Sequence, residues 1–186
     1  RSGWLLNMDD AALVPRYLHF VASAIAIGGL AIALYFNFQK QRGDTEADKW
    51  VKHGCSWFMY ATFINFGIGF WFLGALPETA YNPATFLGKT FIIMIFGSVF
   101  TIVMAVAYAY QYRLIHASAY AAATVLLMTL ARDALRLSYL KPYLNLNDLP
   151  QVSQYSPFIV FLVFFILGGK LVWWMLKTMA GDKEVA

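Results

Sequence analysis

The sequence predicts an all-α integral membrane bundle of five transmembrane helices. Hydrophobic residues make up 60% of the 186 and charged residues only 13%. The mean hydropathy is +0.58, outside the range of ordinary soluble domains. Five apolar runs, at about 14–38, 54–76, 84–111, 116–140 and 156–179, each reach the roughly 20 residues that a helix needs to cross the hydrocarbon. They make up a single transmembrane domain over residues 1–186.

The first run opens at Pro15, which suits a first helical turn because its missing N–H would have no partner there, and it exits at Asn37. A charged loop from Gln39 to Lys52 leads to the second, which ends at Leu76-Pro77-Glu78. The third follows Asn82-Pro83. Only Gln111 to Ile115 separates it from the fourth, so these two should be antiparallel neighbours. The fourth ends at Lys141-Pro142, a polar Asn/Pro-containing loop follows, and the fifth begins near Ser156-Pro157. The chain opens at Arg1 without a methionine, which leaves room for an upstream segment.

Five crossings put the two ends on opposite sides. Side A holds the N-terminus and the 77–83 and 141–155 loops, and side B the 39–52 loop, the 111–115 link and the C-terminus. Side B carries Lys40, Arg42, Lys49, Lys52, Arg113, Lys177 and Lys183, whereas the connections of side A carry only Arg1, Arg16 and Lys141. The positive-inside rule then puts side B, with the C-terminus, in the cytoplasm and the N-terminus in the periplasm of a bacterial inner membrane. Trp4, Tyr17, Trp50, Trp57, Trp71, Trp173 and Trp174 fall near helix ends, as an interfacial aromatic belt requires.

The three histidines are the main chemical signal. His19 lies near side A in the first helix, and His53 and His116 lie at the side-B starts of the second and fourth. At 1.5 Å per residue the two groups differ in depth by about 20–25 Å. His19 therefore shares no metal with the other two, whereas His53 and His116 lie at similar depth. An imidazole in a membrane helix is costly unless hydrogen-bonded or coordinating, which makes it a functional candidate. Ala22, Ser23, Ala26, Gly29 and Ala33 follow His19 along one face. Such a small-residue stripe either admits a flat macrocycle or lets two helices pack closely. Gly28-Gly29 and Gly168-Gly169 both fall in the side-B half, where glycine permits close approach to a ligand. Lys170 beside the second pair must snorkel, pair with an acid, or meet a haem propionate or quinone.

In the fourth helix Arg132 and Arg136 are one turn apart and Asp133 can pair with Arg136 at i,i+3. The group lies toward side A, as His19 does. It can hold propionates through bidentate hydrogen bonds, bind a quinone carbonyl while the carboxylate takes the proton, or form a structural ion pair. The seven methionines and 16 phenylalanines read mostly as lipid- or core-facing filler, although Met94 or Met128 could in principle ligate a haem through its thioether. With one cysteine, Cys55, there is no disulfide framework, no cysteine metal cluster and no C-x-x-C-H attachment site, so a c-type haem would belong to another chain. Phosphate-loop, H-E-x-x-H and G-x-S-x-G motifs are absent. The basic residues sit in loops between apolar runs, which argues against nucleic acid as partner.

The run Leu18-His19-Phe20 to Gly28-Gly29-Leu30 resembles a group of small membrane proteins that includes the membrane domain of urate-oxidase-like cytochromes, copper-resistance D-type domains and membrane protoporphyrinogen oxidases. The resemblance implies a b-type haem with His19 as ligand. Ala131 to Arg136 and Gln151 to Pro157 look like small membrane subunits that accompany multihaem cytochromes, and the architecture is similar to five-helix haem b anchors of respiratory reductases. Anchors with two haems use four histidines, and this chain has three.

The expectation is a b-type cytochrome membrane subunit of a respiratory electron-transfer complex, holding one or two haems b. It would pass electrons between membrane quinone or quinol and a partner redox protein such as a c-type cytochrome. Haem contacts are expected from His19, His53, His116, Arg132, Arg136, Lys170, Gly28 and Gly29, and quinone contacts from His19, Arg132 and Asp133. The alternatives are a haem-free structural anchor of a larger complex and a porphyrin- or quinone-acting membrane oxidoreductase.

Overall fold

The computed structural model describes residues 10–77, 81–141, 143 and 155–181; Arg1, Trp4, Glu78, Pro142, Gln151 and Lys183, used above, lie outside them. Five helices are present: α1 Leu13–Gln41, α2 Ala47–Gly74, α3 Phe86–Tyr110, α4 Leu114–Leu140 and α5 Tyr155–Gly181. Each is long and apolar enough to span a bilayer. The chain is an all-helical integral membrane protein. It divides into one unit over Arg1–Leu144, which contains α1 to α4, and a second over Asn145–Ala186, which contains α5.

Within the first unit the strongest packing is α1 against α2 and α3 against α4, with lighter contact between α2 and α3 and between α1 and α4. Two antiparallel hairpins therefore lie side by side. Both turns close in the same way. After α1 the Gly43 amide donates to the Lys40 carbonyl at 3.1 Å and the Asp44 amide to Gln39 at 3.3 Å; after α3 the Tyr112 amide donates to Ala109 at 3.0 Å and the Arg113 amide to Tyr108 at 2.9 Å. This paired bonding satisfies the last helical carbonyls and requires a left-handed residue just past the helix. Gly43 supplies it at φ 94°, but in the second turn Tyr112 takes φ 57°, where its Cβ crowds the following carbonyl.

The second helix starts at Ala47, not near 54 as its hydropathy suggests. Its charged first turns are helical outside the apolar span, and there Asp48 links two lysines. Its carboxylate oxygens lie 2.8 Å from Lys52 Nζ at i,i+4 and 2.6 Å from Lys40 Nζ at the end of α1. At the other end of the bundle α3 is capped by Thr85, whose hydroxyl accepts from the Gly88 amide at 3.0 Å.

The small stripe of α1 meets the small face of α2. A Cβ on Gly29 would lie 2.8 Å from the Phe58 nitrogen and 2.9 Å from the Gly54 oxygen, and one on Gly54 would lie 2.6 Å from the Gly29 oxygen. The two backbones touch. The room that the stripe offered for a macrocycle is filled by α2, and Gly29 serves helix packing. One buried cluster on the side-B half joins Ala26, Leu30 and Ala33 to Val51, Cys55, Phe58, Ala105, Leu114 and Ala117. A second, on side A, joins Ala12, Leu76, Phe91, Ala131, Ala134 and Leu135.

Replacing Tyr112 by glycine should raise the stability of the detergent-solubilised protein by about 0.5–1 kcal/mol, while Gly43→Ala should lower it by about 1 kcal/mol. Gly54→Leu, which drives a side chain into the α1 backbone, should cost about 1–3 kcal/mol or more. Reversible unfolding in mixed detergent reads all three.

Candidate functional site

Between the two apolar clusters the first unit carries a polar layer. On the α1/α2 hairpin it consists of His19, Ser23, Thr62 and Asn65. On the α3/α4 hairpin it consists of Ser98, Thr101 and Thr124, all placed between residues of the two clusters in sequence. Each hairpin is bonded across at this level. Asn65 Nδ2 donates to Ser23 Oγ at 2.8 Å, and the Thr101 and Thr124 hydroxyls are 2.8 Å apart.

The two halves of the layer differ in how completely they are satisfied. Ser98 donates to the Ile95 carbonyl at 2.8 Å and Thr124 to the Tyr120 carbonyl at 2.9 Å. On the α1/α2 side, His19 Nδ1, Asn65 Oδ1 and Thr62 Oγ1 are buried without a hydrogen-bond partner. In hydrocarbon each such atom is expensive. His19 is half-buried, and a Cβ on Gly69 of α2 would lie 3.5 Å from its Cε1 and 3.6 Å from its Nδ1. The Asn65 side chain also neighbours the ring. Two of the unpartnered atoms are chemically complementary: an imidazole Nδ1 that can carry a proton, and an amide oxygen that can accept it.

The cationic group of α4 reaches the same level. The Arg132 guanidinium carbon lies 6.0 Å from the ring centre of Phe20, the residue after His19. Arg132, Asp133 and Arg136 are all exposed. The ion pair that the spacing permits between Asp133 and Arg136 does not form, since among the described residues no cation lies within 4.0 Å of Asp133. An exposed pair gains little against the side-chain entropy that it costs. Nearby on side A, Arg16 lies 3.8 Å from Asp10.

His53 and His116 occupy separate aromatic clusters. His53 is exposed in the second turn of α2, where its Nε2 accepts from Trp57 Nε1 at 3.0 Å and its ring meets Trp50 edge-on at 6.0 Å. His116 is exposed on α4 and stacks on Tyr108 at 5.2 Å, which stacks in turn on Tyr120 at 5.4 Å. Among the described residues no three of the His, Cys, Asp and Glu side chains converge as a metal group. Gly28, Gly168 and Gly169 have no atom within 4 Å of a would-be Cβ, Lys170 is exposed on α5, and Met94 packs against the side-A cluster.

Asn65, Gly69 and Thr62 were not legible as site residues from the histidines alone. The available signal was Asn65 itself, a lone amide in the run Phe63 to Phe66, where a membrane helix tolerates an amide only for an interhelical bond or a ligand. No known protein family, curated protein or solved structure matches the chain.

Replacing Asn65 by leucine should cost about 1–2 kcal/mol of stability, because it removes the bond to Ser23 and leaves that hydroxyl buried. A double-mutant cycle with Ser23→Ala and Asn65→Ala, read by the same unfolding assay, should give a coupling of about 0.6 kcal/mol.

Proposed function

We propose that this chain is the membrane subunit of an electron-transfer complex and that it binds one b-type haem through His19. The observation that carries the reading is the incompletely satisfied imidazole–amide pair, His19 Nδ1 and Asn65 Oδ1, in the dry layer of the α1/α2 hairpin. If Nδ1–H is donated to Asn65, the lone pair resides on Nε2, the tautomer needed for an axial ligand. Asn65 is itself fixed by Ser23. His19 would thus be the residue to hold the haem iron, with Asn65 fixing its ring.

Arg132 and Arg136, one turn apart and exposed at the level of Phe20 and beyond it toward side A, are the groups to hold the propionates. Bound haem would supply one-electron transfer at a potential set by its ligand and surroundings. The chain's part is to fix the imidazole, keep water away and compensate the carboxylates. Quinone or quinol is the matching small redox partner, with Asp133 as proton acceptor beside Arg132, and a c-type cytochrome on another chain is the matching protein partner. The excess of basic residues at the His53 end supports a cytoplasmic position for that end, as in a bacterial inner membrane.

A second reading, a haem-free anchor, draws support from the small-residue stripe, which is spent on α1–α2 packing, and from the surface positions of His53 and His116. Visible spectroscopy separates the two. On the haem reading, the purified chain shows a sharp dithionite-reduced α-band with about one haem b per chain by pyridine haemochrome. His19→Ala abolishes it, while His53→Ala and His116→Ala retain it. A folded sample isolated with its partner subunits and containing no haem ends the proposal in favour of the anchor.

A further inference from the structure

At the opposite end of the first unit from His19, α2 carries an open groove of about 410 Å³ lined by Lys49, Trp50, Lys52, His53 and Ser56. We infer that this groove binds the phosphodiester headgroup of an anionic phospholipid in the leaflet that meets the charged start of α2. Three features of the groove point to an anion. The first is the state of His53. Because Nε2 accepts the Trp57 N–H, a neutral ring carries its proton on Nδ1, so the side chain offers the groove a donor and no free lone pair. The second is charge. Lys52 is held by Asp48, which also binds Lys40, but Lys49 has no carboxylate within 4.0 Å among the described residues. The other nearby acids are Asp44, whose carboxylate accepts from the Glu46 amide, and Glu46 itself. Lys40, Lys49 and Lys52 balance Asp44, Glu46 and Asp48, and Arg42 leaves the 40–52 segment with one net positive charge, while the groove lining itself holds Lys49 and Lys52 and no acid. The third is the donor set. Two ammonium groups and an imidazole N–H belong to residues that line one concavity, the Ser56 hydroxyl there donates to the Lys52 carbonyl at 3.0 Å, and none of the five lining residues is acidic.

The membrane position selects a lipid over a free anion. Trp50 and Trp57 are exposed on the first turns of the span, where indole rings sit at headgroup depth. Lysine stems on the same turns can lie along acyl chains while their ammonium groups reach the phosphate. Each lysine near an anionic surface contributes enough for about a fivefold change in affinity, the equivalent of about 1 kcal/mol.

The test uses the full chain reconstituted in phosphatidylcholine vesicles doped with phosphatidylglycerol, extracted gently and analysed by native mass spectrometry for retained lipid, with a parallel titration in micelles. Phosphatidylglycerol should be retained over phosphatidylcholine by about fivefold or more. Lys49→Gln should reduce its affinity about fivefold, and His53→Phe, which keeps a ring but removes the donor, should reduce it further. Lys89→Gln, a lysine at the other end of the bundle, should change nothing. Lys49 and Lys89 are exposed, and an unchanged unfolding midpoint confirms that their variants fold. The proposal is overturned by equal retention of the two lipids, by a Lys49→Gln protein that binds as the original does, or by Lys89→Gln weakening binding equally. Displacement of the lipid by equimolar inorganic phosphate would assign the groove to the free anion and overturn it too.

Discussion

The backbone contact between Gly29 and Gly54 is the constraint on which the rest of the first unit depends. In a bilayer helices gain no hydrophobic energy by leaving lipid for one another, so association relies on close packing and interhelical hydrogen bonds. The missing side chains let α1 and α2 approach until a single added carbon at either position would collide with backbone. From that distance follow the Asn65–Ser23 bond of 2.8 Å and the placement of the His19 ring against Gly69. A wider hairpin would leave the amide and the hydroxyl each facing hydrocarbon.

The polar layer beside that contact is uneven. At this level the α3/α4 hairpin satisfies Ser98, Thr101 and Thr124 through carbonyls one turn earlier on the same helix and through the Thr101–Thr124 pair, although Ser118 Oγ, nearer the start of α4, is buried without a partner. On the α1/α2 hairpin Asn65 reaches across to Ser23 instead, and His19 Nδ1, Asn65 Oδ1 and the Thr62 hydroxyl are left without partners. Polar side chains of this kind persist in a membrane span when a partner or a ligand completes them. The layer is thus complete on one hairpin and open on the other, at the place where a cofactor-binding role is proposed.

Much of the architecture was legible because the membrane imposes it: helix number follows from the lengths of the apolar runs, and the short 111–113 link between α3 and α4 fixes their antiparallel pairing. The start of α2 was not, since hydropathy marks where lipid begins rather than where helical hydrogen bonding does. Within the site, His19 was visible as a charge-capable residue out of place. The use of the small stripe was not, because spacing gives the face of a helix and not what lies against it. Both uses need small residues, and only the positions of the Phe58 and Gly54 backbone atoms decide between them. Asp133 and Arg136 show the converse limit, as their spacing permits an ion pair that exposure makes too weak to hold.

The three histidines differ less in sequence context than in what is left of each ring's bonding capacity. His53 has given its Nε2 lone pair to Trp57 and so faces its groove as a donor, which suits an anion and not a metal. His116 presents its face to Tyr108, a use that stacks the ring without consuming a nitrogen. His19 alone has a buried nitrogen without a partner beside an acceptor also without one. A proton placed between those two atoms would complete both and turn the remaining lone pair outward. The chemistry open to each histidine is therefore set by its neighbours one turn away or across the hairpin, and its depth in the membrane decides only how costly an unfinished bond becomes.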